Sequence, residues 1–135
     1  MNSLPIMSRI LLFIALSFCL FQCKPASNSS EKSYQDVSLE MAHEKLATGK
    51  SIFVDVRTPE EIAEGKIKGA LEIDYKSSDF EDKISKLDKN NDYVIYCRSG
   101  GRSKRAAKVM QKHEFKQVSN MLGGYEAWKS KYSSK

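Results

Sequence analysis

The chain has 135 residues, which is enough for one domain but not for two of ordinary size. Its formal net charge is +5, yet its lysines are scattered and lack the interleaved aromatic residues of a nucleic-acid-binding stripe. We therefore interpret most lysines as a solvated surface and predict that the chain does not bind nucleic acid.

Residues 1–22 have the pattern of a signal peptide. Arg9 is their only charged side chain, and the apolar run after it is shorter than a membrane span of about 20 residues. Leu20-Phe21-Gln22-Cys23 resembles a relaxed bacterial lipoprotein signal, which predicts lipidation at Cys23, with Cys19 as the rival site. Plain secretion and an uncleaved anchor are the alternatives, and all three place the domain outside the cytoplasm. A lipoprotein would face the periplasm or the cell surface.

A flexible polar tether is predicted at residues 23–34, which are rich in serine and include Pro25. Acyl chains on Cys23 would anchor the protein to a membrane through this tether. One folded domain is predicted to follow, at residues 35–133.

Strand and helix patterns alternate along this domain. β-Branched and aromatic runs predict strands at residues 35–37, 51–56, 93–96 and 117–122. Residues 69–74 predict a turn that leads into a further strand. Apolar residues at helical spacing predict helices at residues 39–48, 59 to about 65, 79–87, 103–113 and 125–131, with Trp128 on the inner face of the last. The alternation predicts a single doubly wound α/β domain, with a parallel central sheet flanked by helices on both faces.

Local signals predict where three of these helices begin. Ser38 has the position of an N-cap for the first helix, and Gly49 that of its C-terminal stop. Thr58-Pro59-Glu60-Glu61 and Ser78-Asp79-Phe80-Glu81 both have the pattern of a capping box, and the first has proline at its first helical position.

The stretch 92–108 has the strongest chemical pattern in the chain. Cys97 lies between a predicted strand and a predicted helix, where α/β sheets place active sites. Two glycines in the cysteine loop, residues 97–103, let the backbone curl so that its N–H groups point inward, and the helix dipole and two arginines add positive potential. Such surroundings lower a cysteine pKa, so we predict that Cys97 is a nucleophilic thiolate. The alternative is a buried structural cysteine.

The predicted domain has no second cysteine and only two histidines, His43 and His113, which are far apart in the sequence. We therefore predict neither a disulfide framework nor a metal site. An acceptor of any group carried by Cys97 has to be external, because the domain offers no second thiol.

Cys97-Arg98-Ser99-Gly100-Gly101-Arg102 resembles the active-site loop of rhodanese-like sulfurtransferases. Asp55-Val56-Arg57, Gly65-Lys66-Ile67-Lys68-Gly69-Ala70 and Gly123-Gly124-Tyr125-Glu126-Ala127-Trp128 are similar to other landmarks of that family, in the same order. The resemblance covers about residues 36–130. The segment from Gly65 differs from the Gly-His-Ile-Pro-Gly-Ala form that is common in the family. We expect this difference to affect the geometry of the loop and the choice of substrate, but not the nucleophile.

The resemblance implies an activity without a cofactor. Cys97 would take sulfane sulfur from thiosulfate, as a small anionic donor, or from a persulfide, and pass it to a thiol, cyanide or an acceptor protein. The residues implied in donor binding are Arg98, Ser99, Gly100, Gly101, Arg102 and Ser103. Asp55 and Arg57 are expected to support the cysteine loop by hydrogen bonds, with Arg57 pairing with Glu60 or Glu61. We expect a monomer.

Two other functions are compatible with the pattern. Phosphatases and arsenate reductases with a cysteine–arginine loop commonly have five residues between the two, whereas four separate Cys97 from Arg102. The smaller loop favours a sulfur atom over a tetrahedral phosphate with its oxygens. Rhodanese-like domains also occur as inactive interaction modules, but these usually lack the cysteine.

Overall fold

The computed structural model describes residues 34–133, where five strands and five helices alternate. The strands are β1 (Tyr34–Val37), β2 (Ser51–Asp55), β3 (Leu71–Glu72), β4 (Asp92–Tyr96) and β5 (Gln117–Met121). The helices are α1 (Leu39–Thr48), α2 (Pro59–Ala63), α3 (Phe80–Ser85), α4 (Gly101–Lys112) and α5 (Gly124–Tyr132).

The five strands form one sheet in the order β1-β5-β4-β2-β3, and every neighbouring pair is parallel. The predicted α/β fold is therefore confirmed. The register pairs Asp55 at the end of β2 with Tyr96 at the end of β4. Because parallel strands end at one edge of a sheet, the segments that follow these two residues meet there.

Alternation of side chains along the central strand divides the core into two layers. Tyr93 and Ile95 of β4 belong to one buried cluster, and Val94 and Tyr96 to the other. The first cluster includes residues of α3 and α4, namely Phe80, Ile84, Ala106, Ala107 and Met110. The second includes residues of α1 and α5, namely Ala42, Tyr125 and Trp128. Helices thus cover both faces of the sheet, and Trp128 points inward as predicted.

Two of the three predicted helix starts are confirmed. The Ser38 hydroxyl accepts a hydrogen bond from the N–H of Met41, and Gly49, with φ +64°, is the C-cap of α1. The capping box of Thr58 and Glu61 is complete in α2. Both caps form between residues three positions apart, so they depend little on the rest of the fold.

The capping box predicted at Ser78 is wrong. The residue before α3 is Asp79, with φ −96° and ψ 11°, and its side chain makes no capping hydrogen bond. Instead, the Ser77 hydroxyl donates to Asp79 at 2.6 Å, and the N–H of Phe80 donates to the Ser77 carbonyl at 3.2 Å. A turn closed one residue earlier therefore replaces the extended N-cap that a capping box requires.

Most element boundaries differ from the prediction by one or two residues, and β3 is shorter, with only Leu71–Glu72. Helix α4 begins at Gly101 rather than residue 103, so the second half of the cysteine loop is already helical. Strand β5 ends at Met121, and Leu122 is exposed. Tyr34, placed in the tether by the sequence, pairs with Val118 in the sheet and is buried.

The predicted signal peptide, the lipidation sites Cys19 and Cys23, and nearly all of the tether lie outside the described residues. Within residues 34–133, the helices lack the combination of length and apolar character needed to cross a membrane.

Candidate active site

The sulfur of Cys97 lies at the carboxyl edge of the sheet, directly after β4. The residue is 1% exposed. Its Sγ accepts a hydrogen bond from the N–H of Gly100 at 3.1 Å, and the Ser103 hydroxyl donates to it at 3.5 Å. Gly100 has φ +107°, a conformation that favours glycine and that allows the cysteine loop to curl around the sulfur.

Burial and hydrogen bonds act in opposite directions on the pKa of this sulfur. Burial acts to raise the pKa of the Cys97 thiol, but the Ser103 hydroxyl and the backbone N–H groups of Ser103, Gly100 and Ser99 act more strongly in the opposite direction. The net effect lowers the pKa. The site therefore favours the thiolate, which is the nucleophilic form of cysteine.

Helix α5 holds the cysteine loop from behind. The N–H of Tyr125 donates to the Cys97 carbonyl at 2.8 Å, and the N–H of Glu126 donates to the Arg98 carbonyl at 3.1 Å. The first N–H groups of a helix have no hydrogen-bond partner within the helix. This contact therefore gives the first N–H groups of α5 their acceptors and at the same time fixes the position of the cysteine loop. With its carbonyls turned toward α5, the loop keeps its next N–H groups available for the sulfur.

Gly124 allows that close approach. A Cβ atom there would lie 2.4 Å from the Arg98 carbonyl oxygen and 2.6 Å from that of Cys97, and its φ is +60°. Neither distance is compatible with a side chain. The second glycine of the pair noted in the sequence thus has a steric reason, since only glycine at position 124 lets α5 reach the cysteine loop.

The two arginines of the cysteine loop are both paired with carboxylates. Arg102 donates from Nη1 and Nη2 to the two oxygens of Glu61, at 2.7 and 2.6 Å. These hydrogen bonds lower the pKa of Glu61 to about 2. Arg98 donates from Nε to Glu126 at 2.6 Å in an exposed pair. Binding of a donor by either arginine stays a prediction.

The remaining predicted loop residues take different positions. The side chain of Ser103 is buried against the sulfur, whereas that of Ser99 is exposed, so only the backbone of Ser99 contacts Cys97. Gly101 is the first residue of α4, and a Cβ there would meet no atom within 4 Å.

Asp55 and Arg57 form a buried ion pair at the end of β2, with side-chain exposures of 0% and 4%. Arg57 donates from Nε and Nη2 to the carboxylate of Asp55, the shortest distance being 2.7 Å. The expected pairing of Arg57 with the carboxylate of Glu60 or Glu61 is wrong. Asp55 is nearer along the chain, and Glu61 is occupied by Arg102.

Arg57 supports the site indirectly. It donates to the carbonyls of Gly65 and Glu61 at 2.7 and 3.2 Å, and its guanidinium lies 4.1 Å from the centre of the Tyr125 ring. Tyr125 in turn holds the Cys97 carbonyl. Hydrogen bonds from Arg57 thus hold α2 and Gly65, which follows it. The stacking of Arg57 on Tyr125 connects Arg57 to α5, the helix behind the cysteine loop.

Three contributors were missed by the sequence reasoning. Glu61 was considered only as a partner of Arg57, and Glu126 was not considered as a partner of Arg98. Tyr96 was assigned only to a strand, although its hydroxyl accepts the N–H of Ile67 at 3.1 Å. Only the Thr58–Glu61 capping box hinted that the Glu61 carboxylate has a fixed position.

A cleft of about 310 Å³ lies beside the cysteine loop. Arg57 contributes to it, and the other lining residues are Glu61, Glu64, Arg98, Tyr125, Glu126 and Lys129. The lining has both signs of charge. In the described part of the chain, no group of three or more His, Cys, Asp or Glu side chains is placed to hold a metal ion.

These features define a class: a single α/β domain with a hydrogen-bonded cysteine sulfur at the carboxyl edge of a parallel sheet. The sequence profile of the rhodanese-like domain matches residues 38–131. The chain belongs to the rhodanese-like domain family.

Relatives and solved structures agree with this assignment. The putative sulfurtransferase YtwF of Bacillus subtilis is 36% identical over 102 residues, which are 75% of this chain and 96% of the relative. A sulfurtransferase of Allochromatium vinosum is 37% identical over 94 residues, 69% of this chain and 86% of the relative. The human single-domain sulfurtransferase TSTD1 matches with a TM-score of 0.63 and 27% identity, over 71% of this chain and 96% of that one. Transfer of sulfur is the class of function that these relationships support.

Proposed function

We propose that this protein transfers sulfane sulfur from thiosulfate or a persulfide donor to a thiophilic acceptor through a persulfide on Cys97. The observation that most supports it is the hydrogen-bonded environment of Cys97 Sγ. Gly100 and Ser103 donate to the sulfur, and these bonds favour a negative charge on it. A persulfide anion on the same residue has the same charge and needs the same donors.

The reaction has two steps. The Cys97 thiolate attacks the outer sulfur of thiosulfate, a sulfur–sulfur bond forms, and the original sulfur–sulfur bond breaks to release sulfite with its electron pair. A thiolate or cyanide acceptor then attacks the terminal sulfur of the persulfide, and the Cys97 thiolate leaves. No net oxidation of the protein occurs, so the cycle needs no redox cofactor.

The size of the cysteine loop favours sulfur over a phosphoryl group. Four residues separate Cys97 from Arg102, and Arg102 uses both Nη atoms on Glu61. In phosphoryl transfer the attacked phosphorus carries three oxygens that need donors beside the nucleophile, and the arginine fork that commonly supplies two of them is occupied. In sulfur transfer the attacked atom is the outer sulfur, which carries no oxygen.

The direct test is thiocyanate formation from thiosulfate and cyanide by the purified protein, beside Cys97→Ala and Cys97→Ser. Wild type is expected to turn over and to gain the mass of one sulfur atom on thiosulfate alone, and both variants are expected to lose at least about a thousandfold in rate. Circular dichroism of the variants controls for folding.

Other outcomes separate the alternatives. A mass gain without turnover would leave the nucleophile in place and point to a different acceptor. Hydrolysis of an aryl phosphate, or reduction of arsenate, without any sulfur gain would replace sulfur transfer by oxyanion chemistry. Inactivity in all these assays would identify an interaction module.

We also propose that the protein is exported and anchored by acyl chains on Cys23, a proposal that rests on the sequence of residues 1–23 alone. A monomer stays our expectation. Cys23→Ser is expected to shift the protein from the membrane fraction to the soluble fraction and to remove the acyl mass. Cys19→Ser is the matched control. If Cys19→Ser alone abolished acylation, Cys19 would be the lipidated residue.

A further inference from the structure

The amino edge of the sheet, opposite the edge that holds Cys97, is formed by two connections that lie side by side. Residues 86–91 lead from α3 into β4, and residues 113–116 lead from α4 into β5. The N–H of Lys116 donates to the Lys89 carbonyl at 3.0 Å, which joins the two connections. Both therefore belong to one surface.

Five exposed lysines belong to this edge. Two of them lie just outside the connections: Lys112 is the last residue of α4, and Lys50 directly precedes β2, whose first residue pairs with Asp92 at the start of β4. We call the whole set the amino-edge lysines: Lys50, Lys86, Lys89, Lys112 and Lys116.

The amino-edge lysines have no carboxylate partner among the described residues. The lysines that do form ion pairs there are Lys45, Lys66, Lys83 and Lys131. At this edge the Asp92 carboxylate is taken by Lys45 at 2.6 Å, and the exposed carboxylates of the two connections are those of Asp88 and Glu114. Five lysines thus face two exposed carboxylates, and positive charge is in excess.

These charges are too far from the nucleophile to act in its reaction. Strand β4 runs from Asp92 at this edge to the residue before Cys97 at the other, and five strand steps span about 16 Å. Charges in solvent are largely screened beyond a Debye length of about 8 Å at physiological ionic strength. The positive excess at the amino edge therefore indicates a role other than sulfur transfer.

The surroundings of the lysines favour a diffuse negative surface as their partner. The aromatic residues of this edge, Tyr93 and Phe115, pack edge-on against each other and are each 1% exposed, so they offer no ring on which a nucleic-acid base could stack. The exposed large apolar residues of the described chain are Met41, Leu71 and Leu122, and none of them belongs to this edge. Charge without exposed aromatic or apolar anchors fits the headgroups of anionic phospholipids better than a protein interface.

The chain also enters the domain at this edge. Tyr34 is the first residue of β1 and pairs with Val118, two residues after Lys116. The sequence predicts a flexible tether at residues 24–33, and a flexible segment of ten residues spans about 17 Å on average. An anchor at Cys23 would keep the amino edge close to the lipid surface, so that even a weak attraction is effective.

We propose that the amino-edge lysines dock on the anionic headgroups of the phospholipid surface and hold the domain there with the cysteine loop facing the solution. This inference rests on the proposed anchor, which places the domain next to a membrane. It extends that proposal, because an anchor alone sets no orientation. Docked in this way, the site at the carboxyl edge is open to donors and acceptors from the solution.

The test uses the full chain, purified from membranes and reconstituted with vesicles of phosphatidylcholine alone, or of phosphatidylcholine and phosphatidylglycerol in equal parts. Lysines are acetylated with a water-soluble reagent, and mass spectrometry gives the rate at each position. Lys76 is the internal control. It is exposed, and it lies past the end of β2 at the carboxyl edge, because the N–H of Tyr75 donates to the Val56 carbonyl.

In the mixed vesicles the amino-edge lysines are expected to react at least about threefold more slowly than in the neutral vesicles, and Lys76 at the same rate in both. Added salt should remove the protection. The double variant Lys112→Glu/Lys116→Glu should abolish the protection of the remaining amino-edge lysines, because each lysine near an anionic bilayer strengthens docking about fivefold.

Lys76→Glu/Lys104→Glu is the matched control. It makes the same change of net charge at the carboxyl edge, since Lys104 lies in the first turn of α4, beside the cysteine loop. The protection of the amino-edge lysines should stay in place in this variant. Circular dichroism controls for the folding of both double variants.

The outcomes separate the docking surface from the anchor. Equal reaction rates in both kinds of vesicle would overturn the docking surface and leave the anchor intact. Equal protection of Lys76 would overturn the orientation. A chain that does not sediment with neutral vesicles would overturn the anchor, and docking would then be supported only by sedimentation with the mixed vesicles and the same pattern of protection. Protection by an RNA oligonucleotide, but not by the mixed vesicles, would overturn the lipid partner in favour of a nucleic acid.

Discussion

Two ion pairs at the same edge of the sheet differ in almost every physical respect. Asp55–Arg57 is buried, with side-chain exposures of 0% and 4%, and Arg57 bonds two further carbonyls. Arg98–Glu126 is exposed, at 66% and 56%, and has a single hydrogen bond. The Asp55–Arg57 pair holds the backbone around the site in place, whereas the Arg98–Glu126 pair neutralises a positive charge at the solvent-exposed side of the cysteine loop. Proximity to the nucleophile therefore does not indicate how much a pair contributes to stability.

The largest contrast is expected when the same substitution is made in each pair. Arg57→Leu leaves the Asp55 carboxylate buried without a counter-charge and should lower the free energy of unfolding by about 3–5 kcal/mol. Arg98→Leu, the matched control, should leave it unchanged within error, because both partners are solvated. Urea denaturation followed by circular dichroism measures both. Equal losses would show that burial does not separate the two pairs.

A second test compares two glycines with similar backbone conformations. Gly124 and Gly49 have φ of +60° and +64°, but a Cβ on Gly124 would strike the cysteine loop, whereas one on Gly49 meets nothing within 4 Å. Gly49→Ala should cost about 1–3 kcal/mol from the left-handed conformation alone. Gly124→Ala should cost more, and it should also slow persulfide formation.

The difference between these variants isolates the contact between α5 and the cysteine loop. Thermal unfolding and the rate of sulfur gain would be measured on both. If Gly124→Ala were no worse than Gly49→Ala in either measurement, the contact would not position the nucleophile.

The smallest expected effect concerns two serines of the cysteine loop. Ser103 donates to Cys97 Sγ, whereas the Ser99 side chain is exposed. Ser103→Ala should raise the pKa of Cys97, because a donor to the thiolate is lost while burial still disfavours the charge. The midpoint of the pH profile of iodoacetamide alkylation should therefore move upward. Ser99→Ala should leave it in place, and equal midpoints in both variants would contradict the role of the Ser103 hydroxyl.

The same lowered pKa links the thiolate to stability. Because the folded-state pKa lies below that of the unfolded chain, the thiolate stabilises the fold at pH values above the unfolded pKa. This contribution is lost as the pH falls through the folded pKa. Cys97→Ser lacks this dependence, so its stability profile serves as the reference.

Most of the fold could be predicted because its signals are local. The alternation of strand and helix patterns gave a parallel sheet, and Ser38, Gly49 and Thr58 marked helix ends at positions that the structure confirms. The error at Ser78 arose where two overlapping hydrogen-bond patterns compete. The structure has the turn at Ser77 in place of the capping box at Ser78, and the sequence pattern does not show which of the two is more stable.

By itself, the sequence determined the elements, their order, and the position of Cys97 between a strand and a helix. Only the tertiary structure decided which charges pair across the site: Arg102 with Glu61, 41 positions away, and Arg98 with Glu126, 28 positions away. The physical reason is the distance along the chain over which each kind of interaction acts. Caps and periodicity act within one turn or strand, whereas the partner of a long charged side chain depends on how separate elements pack.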